Sequence, residues 1–205
     1  MKNLNEIITD FSIGKITKEE IIKEHDEMFF KLLMLYLNDK NSSTLRQIIT
    51  CEVIGIKSNE NKLGYDGDGT NDEVKPKNVN SSFKKGKKVV LNGNGNYSDI
   101  THARHEKYIN DDVSIHVSGF VDGNLLYVIK VPYRSMSDLF KNKLNIHLPN
   151  GDEPSKYVRS TGFTFTNYKN CEGVEIEFIR DNIQDYIQFI NKNFYIYLNT
   201  LRNDK

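Results

Sequence analysis

The densest set of side chains able to do chemistry lies in one short segment, Asp66-Gly67-Asp68-Gly69-Thr70-Asn71-Asp72-Glu73-Val74-Lys75. With Asp66 at the end of one strand and Glu73 on its hairpin partner, the two carboxylates converge on one cation. Strand periodicity sends Glu73 and Lys75 to the same face, with Val74 buried behind them. Two carboxylates, the Val74 carbonyl and water molecules suit Mg²⁺, with Mn²⁺ as a substitute, because these ions prefer oxygen ligands and accept few from protein. A lysine beside them can orient or deprotonate a water and offset charge growing on a phosphate. This is the apparatus of metal-assisted phosphodiester hydrolysis.

Other assignments of the same residues fit less well. Asp66-x-Asp68 opens like a calcium loop, but Asn71 stands at the sharp-turn glycine position and Lys77 at the bidentate glutamate position. Glu60-Asn61-Lys62 repeats the acid-x-lysine spacing without an acid shortly before it, and Glu175-Ile176-Glu177 lacks a lysine. The plain structural alternative is an acidic turn in which Glu73 and Lys75 form an ion pair on a solvated face.

Asp66 followed by Glu73-Val74-Lys75 resembles the PD-(D/E)xK nucleases, the superfamily of most type II restriction endonucleases. The resemblance covers about residues 45 to 131. It implies that Asp66 and Glu73 bind Mg²⁺ while Lys75 assists the water. Many members add a glutamate on a preceding helix, and Glu52 takes that place here. Two features depart from the family: Tyr65 stands where a proline is usual, and the step from Asp66 to Glu73 is short, so Gly67 and Gly69 must make a tight hairpin. The implied fold is α/β, a restriction-endonuclease-like core with a mixed central sheet of about five strands flanked by helices. The implied activity is site-specific endonuclease action on double-stranded DNA by a homodimer. Homing or phage-encoded endonucleases share this core, so they stay open, as does a structure-selective nuclease.

The elements that must position these residues read as one domain. Residues 1–57 are helical, 58–180 rich in strands, and 181–205 form a terminal helix. Thr17-Lys18-Glu19-Glu20 is a capping box opening an apolar helical face that runs to Asn38. Ser43 or Thr44 opens a second helix to Ile56. Strands are expected over 63–67, 73–77, 113–121, 124–131, 162–166 and 174–179. Asp122-Gly123 supplies the positive φ angles of a tight hairpin. Asn92 to Asn96 reads as a loop, leading to a helix capped by Ser98 or Asp99. Within it His102, His105 and Glu106 lack the further ligand a zinc site needs.

The chain carries 28 Lys and Arg against 28 Asp and Glu. A neutral total argues against strong non-specific attraction to nucleic acid, but the charges are not evenly spread. Asp66, Asp68, Asp72 and Glu73 are followed by Lys75, Lys77 and the run Lys84, Lys85, Lys87, Lys88. Those lysines, with Asn78, Arg104, Arg134 and Arg159, are the expected DNA contacts. Binding through short-range contacts and bound metal fits a site-specific enzyme better than a scavenging one. A DNA-binding module without catalysis is the alternative from a different class. Two cysteines form no disulfide framework, no apolar run reaches membrane-spanning length, and no secretory leader is visible, which together read as a cytoplasmic protein with no membrane partner.

Overall fold

The computed structural model describes residues 4–38, 43–59, 64–82 and 89–203. Four helices come first: α1 (Leu4–Ser12), α2 (Lys18–Glu24), α3 (Glu27–Asn38) and α4 (Ser43–Val53). The capping box at Thr17 and Glu20 forms as the spacing predicts. The helix expected to continue to Asn38 breaks at His25-Asp26. Asp26 takes the Phe29 amide 2.6 Å away and so starts α3, an example of a short acidic side chain competing with the helical ladder. Gly55, at φ +75°, follows the end of α4.

The main sheet has four strands in the order β1 (Asp72–Val79), β3 (Ser114–Val121), β4 (Asn124–Pro132), β6 (Glu175–Ile179). β1 runs parallel to β3, and the remaining pairs are antiparallel. A parallel neighbour needs a crossover, and α5 (His102–Asn110) lies on it. The β3–β4 turn is the expected tight hairpin, with φ +47° at Asp122 and +77° at Gly123. Two further strands, β2 (Gly95–Ile100) and β5 (Val158–Phe163), pair only with each other as a separate antiparallel ribbon. The sheet is therefore mixed and flanked by helices, with four strands where about five were expected.

Several boundaries differ from those the sequence predicts. Residues 64–67 form no strand. Gly67 instead makes an isolated bridge to Ser58 and donates its N–H to the Asp72 carbonyl at 3.1 Å, so the loop lies along the outer edge of β1. Three glycines in six residues give a strand little side chain to pack. At Gly67 a Cβ would run into the Thr70 hydroxyl and the Ile56 side chain. The ribbon strand β2 occupies much of the expected loop and cap region, and Thr101 rather than Ser98 or Asp99 caps α5. The strand expected over 162–166 ends at Phe163, because Thr164 starts the short helix α7 (Phe165–Tyr168). The terminal helix is preceded by a 3₁₀ segment, Ile183–Phe189, and α8 spans Lys192–Asn203.

Strand alternation separates two cores. On one face, Phe120, Leu125 and Val128 pack beneath Ile7, Leu33, Leu45 and Ile49 of the N-terminal helices. On the other, Ile115, Val117 and Ile129 meet Tyr97 and Phe163 of the ribbon, Tyr133, and Phe140 of α6 (Ser137–His147). Aromatic rings dominate this second core, where Tyr133 and Phe140 stack with centroids 5.0 Å apart. The layers are thus helix, sheet, then helix and ribbon.

Candidate active site

Along β1, Glu73 and Lys75 face the aromatic core, while Asp72 and Val74 face α4. Glu73 is only 4% exposed, and a carboxylate buried to that degree needs partners. The Tyr108 hydroxyl donates to its Oε1 at 2.6 Å, and the Lys75 ammonium pairs with its Oε2. Arg104 approaches the same carboxylate at 4.0 Å and donates to the Tyr108 oxygen through Nε at 3.0 Å and Nη2 at 2.6 Å. Arg104 and Tyr108 stand four residues apart on α5, which places both on one face of that helix. Burial and the neighbouring Glu73 charge push the Tyr108 hydroxyl far above its ordinary pKa, so it remains a proton donor to Glu73. Lys75 lies over the Tyr97 ring, 4.6 Å from its centroid.

Asp66 reaches this strand from the side. β1 is an edge strand, and its Val74 N–H points outward to Asp66 Oδ2 at 2.7 Å. The amide and carbonyl of a strand residue point the same way, so the Val74 carbonyl faces the same edge. Burial pushes the Asp66 carboxyl above its usual range; Lys75 opposes that rise and the Glu73 charge adds to it. A raised carboxyl beside a second carboxylate is a place where added positive charge is favourable. Among the described residues no group of three or more His, Cys, Asp or Glu side chains is arranged to hold a metal. Two carboxylates and a carbonyl remain, a donor set compatible with Mg²⁺, which keeps several waters and commonly takes one or two protein carboxylates.

Lys75 opens onto a cleft of about 540 Å³ between β1 and the ribbon. Lys77 and Arg104 add positive charge, Ser43 and Gln47 of α4 form one wall, and Asn94, Asn96 and Ser98 form another. Cations facing small polar side chains suit an anionic, hydrogen-bonding ligand better than an apolar one.

The structure brings Asp66, Glu73, Lys75, Lys77 and Arg104 together and disperses the other candidates. Glu52 lines a different groove, with Thr9, Asp10 and Lys15, because it leaves α4 away from the sheet. The α4 residue at the cleft is Gln47. Asn78 is engaged at the far end of β1, accepting the Gly123 N–H at 3.2 Å and donating to Asn38 at 3.3 Å. Arg134 donates to the Ile109 carbonyl at the end of α5 and pairs with Asp112. Arg159 is exposed on the ribbon. Lys84, Lys85, Lys87 and Lys88 lie outside the described residues. His102 and His105 part company: one ring contacts the Leu148 carbonyl at 3.0 Å and the other the Tyr133 hydroxyl at 2.8 Å.

Tyr108 and Gln47 stand here without being expected from the sequence. The i, i+4 spacing of Arg104 and Tyr108 was a usable signal for the first; nothing local marked the second. No protein-family model matches the chain, and a search of curated proteins finds no match either.

Proposed function

We propose that the chain is a Mg²⁺-dependent, site-specific endonuclease acting on double-stranded DNA, with the cleft at Lys75 as its active site. The observation that carries this reading is the convergence of Asp66, from the edge of β1, with Glu73 and Lys75 on the face that opens to a basic cleft. Asp66, Glu73 and the Val74 carbonyl would hold the ion, which when bound supplies a Lewis acid for a phosphate oxygen and lowers the pKa of a water. Lys75 holds the attacking water in line with the phosphorus and offsets the charge that grows on the phosphate. Arg104 and Lys77 receive the nucleic-acid backbone as cations. Tyr108 keeps Glu73 in place by its hydroxyl. Cutting both strands of a symmetric site calls for two copies about the DNA two-fold axis, so a homodimer belongs to the proposal. Among the described residues no helix is long and apolar enough to cross a membrane.

A second reading, a nucleic-acid-binding module without catalysis, is favoured by one observation: both Glu73 oxygens already have protein partners. Two measurements separate the readings. Plasmid digestion with Mg²⁺, with fragment ends mapped, should give defined cuts with wild type and none with Glu73→Ala. Mn²⁺ should raise the melting temperature of wild type, as any ligand of the folded state does. Asp66→Asn should remove that rise while melting higher than wild type without metal, because it deletes a partly buried charge whose carboxyl is held above its usual range by desolvation. DNA left intact by wild type, with no response to Mn²⁺, overturns the nuclease reading in favour of the binder.

A further inference from the structure

The ribbon has an inner and an outer face. Tyr97, Ile100, Val158, Thr161 and Phe163 are buried, whereas Asn96, Ser98, Ser160 and Gly162 are not. At Asp99 the alternation fails. The register is unbroken from Ser98↔Ser160 to Ile100↔Val158, while Asp99 between them adopts φ +56°. Asp99 and Arg159 are both exposed, whereas Ile100 and Val158 are buried, and Asp99 lines the cleft with Ser98. The resulting surface of Asn96, Ser98, Asp99, Arg159 and Ser160 carries donors and acceptors and no large apolar group. The Ser160 hydroxyl donates to Asn96 Oδ1 at 2.8 Å and sets the orientation of that amide.

This surface is locked to the site. Gly95 lets the ribbon pack directly on β1, since a Cβ there would stand 3.0 Å from the Lys75 Cβ and would collide with the Phe163 ring. Asn96, Ser98 and Asp99 line the same cleft as Lys75, Lys77 and Arg104. The division of charge is informative. Three cations stand on the β1 and α5 side, whereas the ribbon carries one cation and one carboxylate. A carboxylate repels phosphate but accepts a hydrogen bond from a base amine, and Arg and Asn pair with guanine and adenine edges.

We infer that the outer face of the β2–β5 ribbon is the base-reading surface, set in the major groove of a duplex whose scissile phosphate lies at Lys75, with Arg159 and Asn96 as its principal readers. A two-stranded ribbon is of the right size for that groove. The assignment rests on the nuclease reading. Phosphate contacts fall to Lys75, Lys77 and Arg104, and sequence preference to the ribbon.

The test is digestion of a random-sequence duplex library with Mn²⁺, with the ends sequenced, for wild type, Lys75→Ala, Arg159→Ala and Asn96→Ala. Arg159 is exposed, and thermal melting checks that each variant is folded. Wild-type ends should share a base preference at a fixed distance from the cut. Each ribbon variant should lose that preference at one or two positions, by about tenfold in relative cleavage. An unchanged preference in both variants overturns the ribbon assignment and leaves the nuclease reading standing. A loss of cleavage that is uniform across sequences marks phosphate contacts and also overturns it. Absence of Lys75-dependent cleavage overturns both.

Discussion

The two faces of β1 carry similar chemistry with different surroundings. On one, Glu73 is bonded to Tyr108 and Lys75 with Arg104 alongside, and Lys75 and Arg104 line a cleft. On the other, Asp72 meets the His116 Nε2 at 2.7 Å while Glu177 meets its Nδ1 at 2.6 Å. His116 is 1% exposed. Both ring nitrogens face carboxylates, an arrangement that imidazolium satisfies with two donated hydrogen bonds. This second trio bridges β1, β3 and β6, and α4 packs on the same face of β1. Charged, hydrogen-bonded side chains therefore do not mark a site by themselves. The difference lies in the neighbours: Lys75 and Arg104 beside Glu73 line a cleft, whereas the His116 trio ties strands together.

The largest expected effect breaks that comparison directly. On the proposed nuclease reading, Lys75→Ala should reduce Mg²⁺-dependent DNA cleavage by about 100-fold or more, the scale of a positioned proton-transfer group. His116→Gln, measured below its melting temperature, should leave the rate within a few fold. Equal losses in the two variants would dissolve the distinction between the faces.

A smaller effect sharpens the cleft side. Tyr108→Phe keeps the ring in the aromatic core and removes the hydroxyl that donates to Glu73 and accepts from Arg104. If Glu73 holds the ion as proposed, calorimetric titration with Mn²⁺ should find affinity reduced by about tenfold, the usual cost of losing a group that orients a metal ligand. Stability should fall by about 1.5–3 kcal/mol, the range for a hydrogen bond to a charged group. Unaltered Mn²⁺ affinity would make Tyr108 a packing residue only.

The subtlest effect belongs to the closed face. Burial lowers the affinity of His116 for its proton, but the hydrogen bonds and charges of Glu177 and Asp72 outweigh that cost and raise its pKa above 6.5. A group whose pKa is higher folded than unfolded contributes stability that is fully present below the unfolded value and lost as pH climbs through the folded one. Urea unfolding across this range should find wild type losing stability on the alkaline side of about 6.5. His116→Gln should flatten that slope. The same slope in both proteins would assign the pH dependence elsewhere.

Local signals in the sequence determined a good part of this protein. The capping box at Thr17, the Asp122-Gly123 hairpin and the alternation that buries Val74 between Glu73 and Lys75 all depend on neighbours a few residues apart, so a short window contains their physics. The grouping of Asp66 with Glu73 and Lys75 was legible for the same reason, although Asp66 arrives on a loop along the strand edge and not on a strand. Tertiary packing decided the rest. Glu52 and Gln47 differ by little more than one helical turn, and only the docking of α4 on the sheet turns Gln47 to the cleft and Glu52 away. Asn78 and Arg134 were spent on backbone partners distant in sequence. β2 and β5 are 58 positions apart at their closest ends, Ile100 and Val158, so no local pattern could have joined them as a ribbon. Tyr108 became a partner of Glu73 only because the crossover carries α5 over β1. A residue's chemistry is written in its type and near neighbours; which side chains share a cleft depends on contacts between segments that the linear order keeps apart.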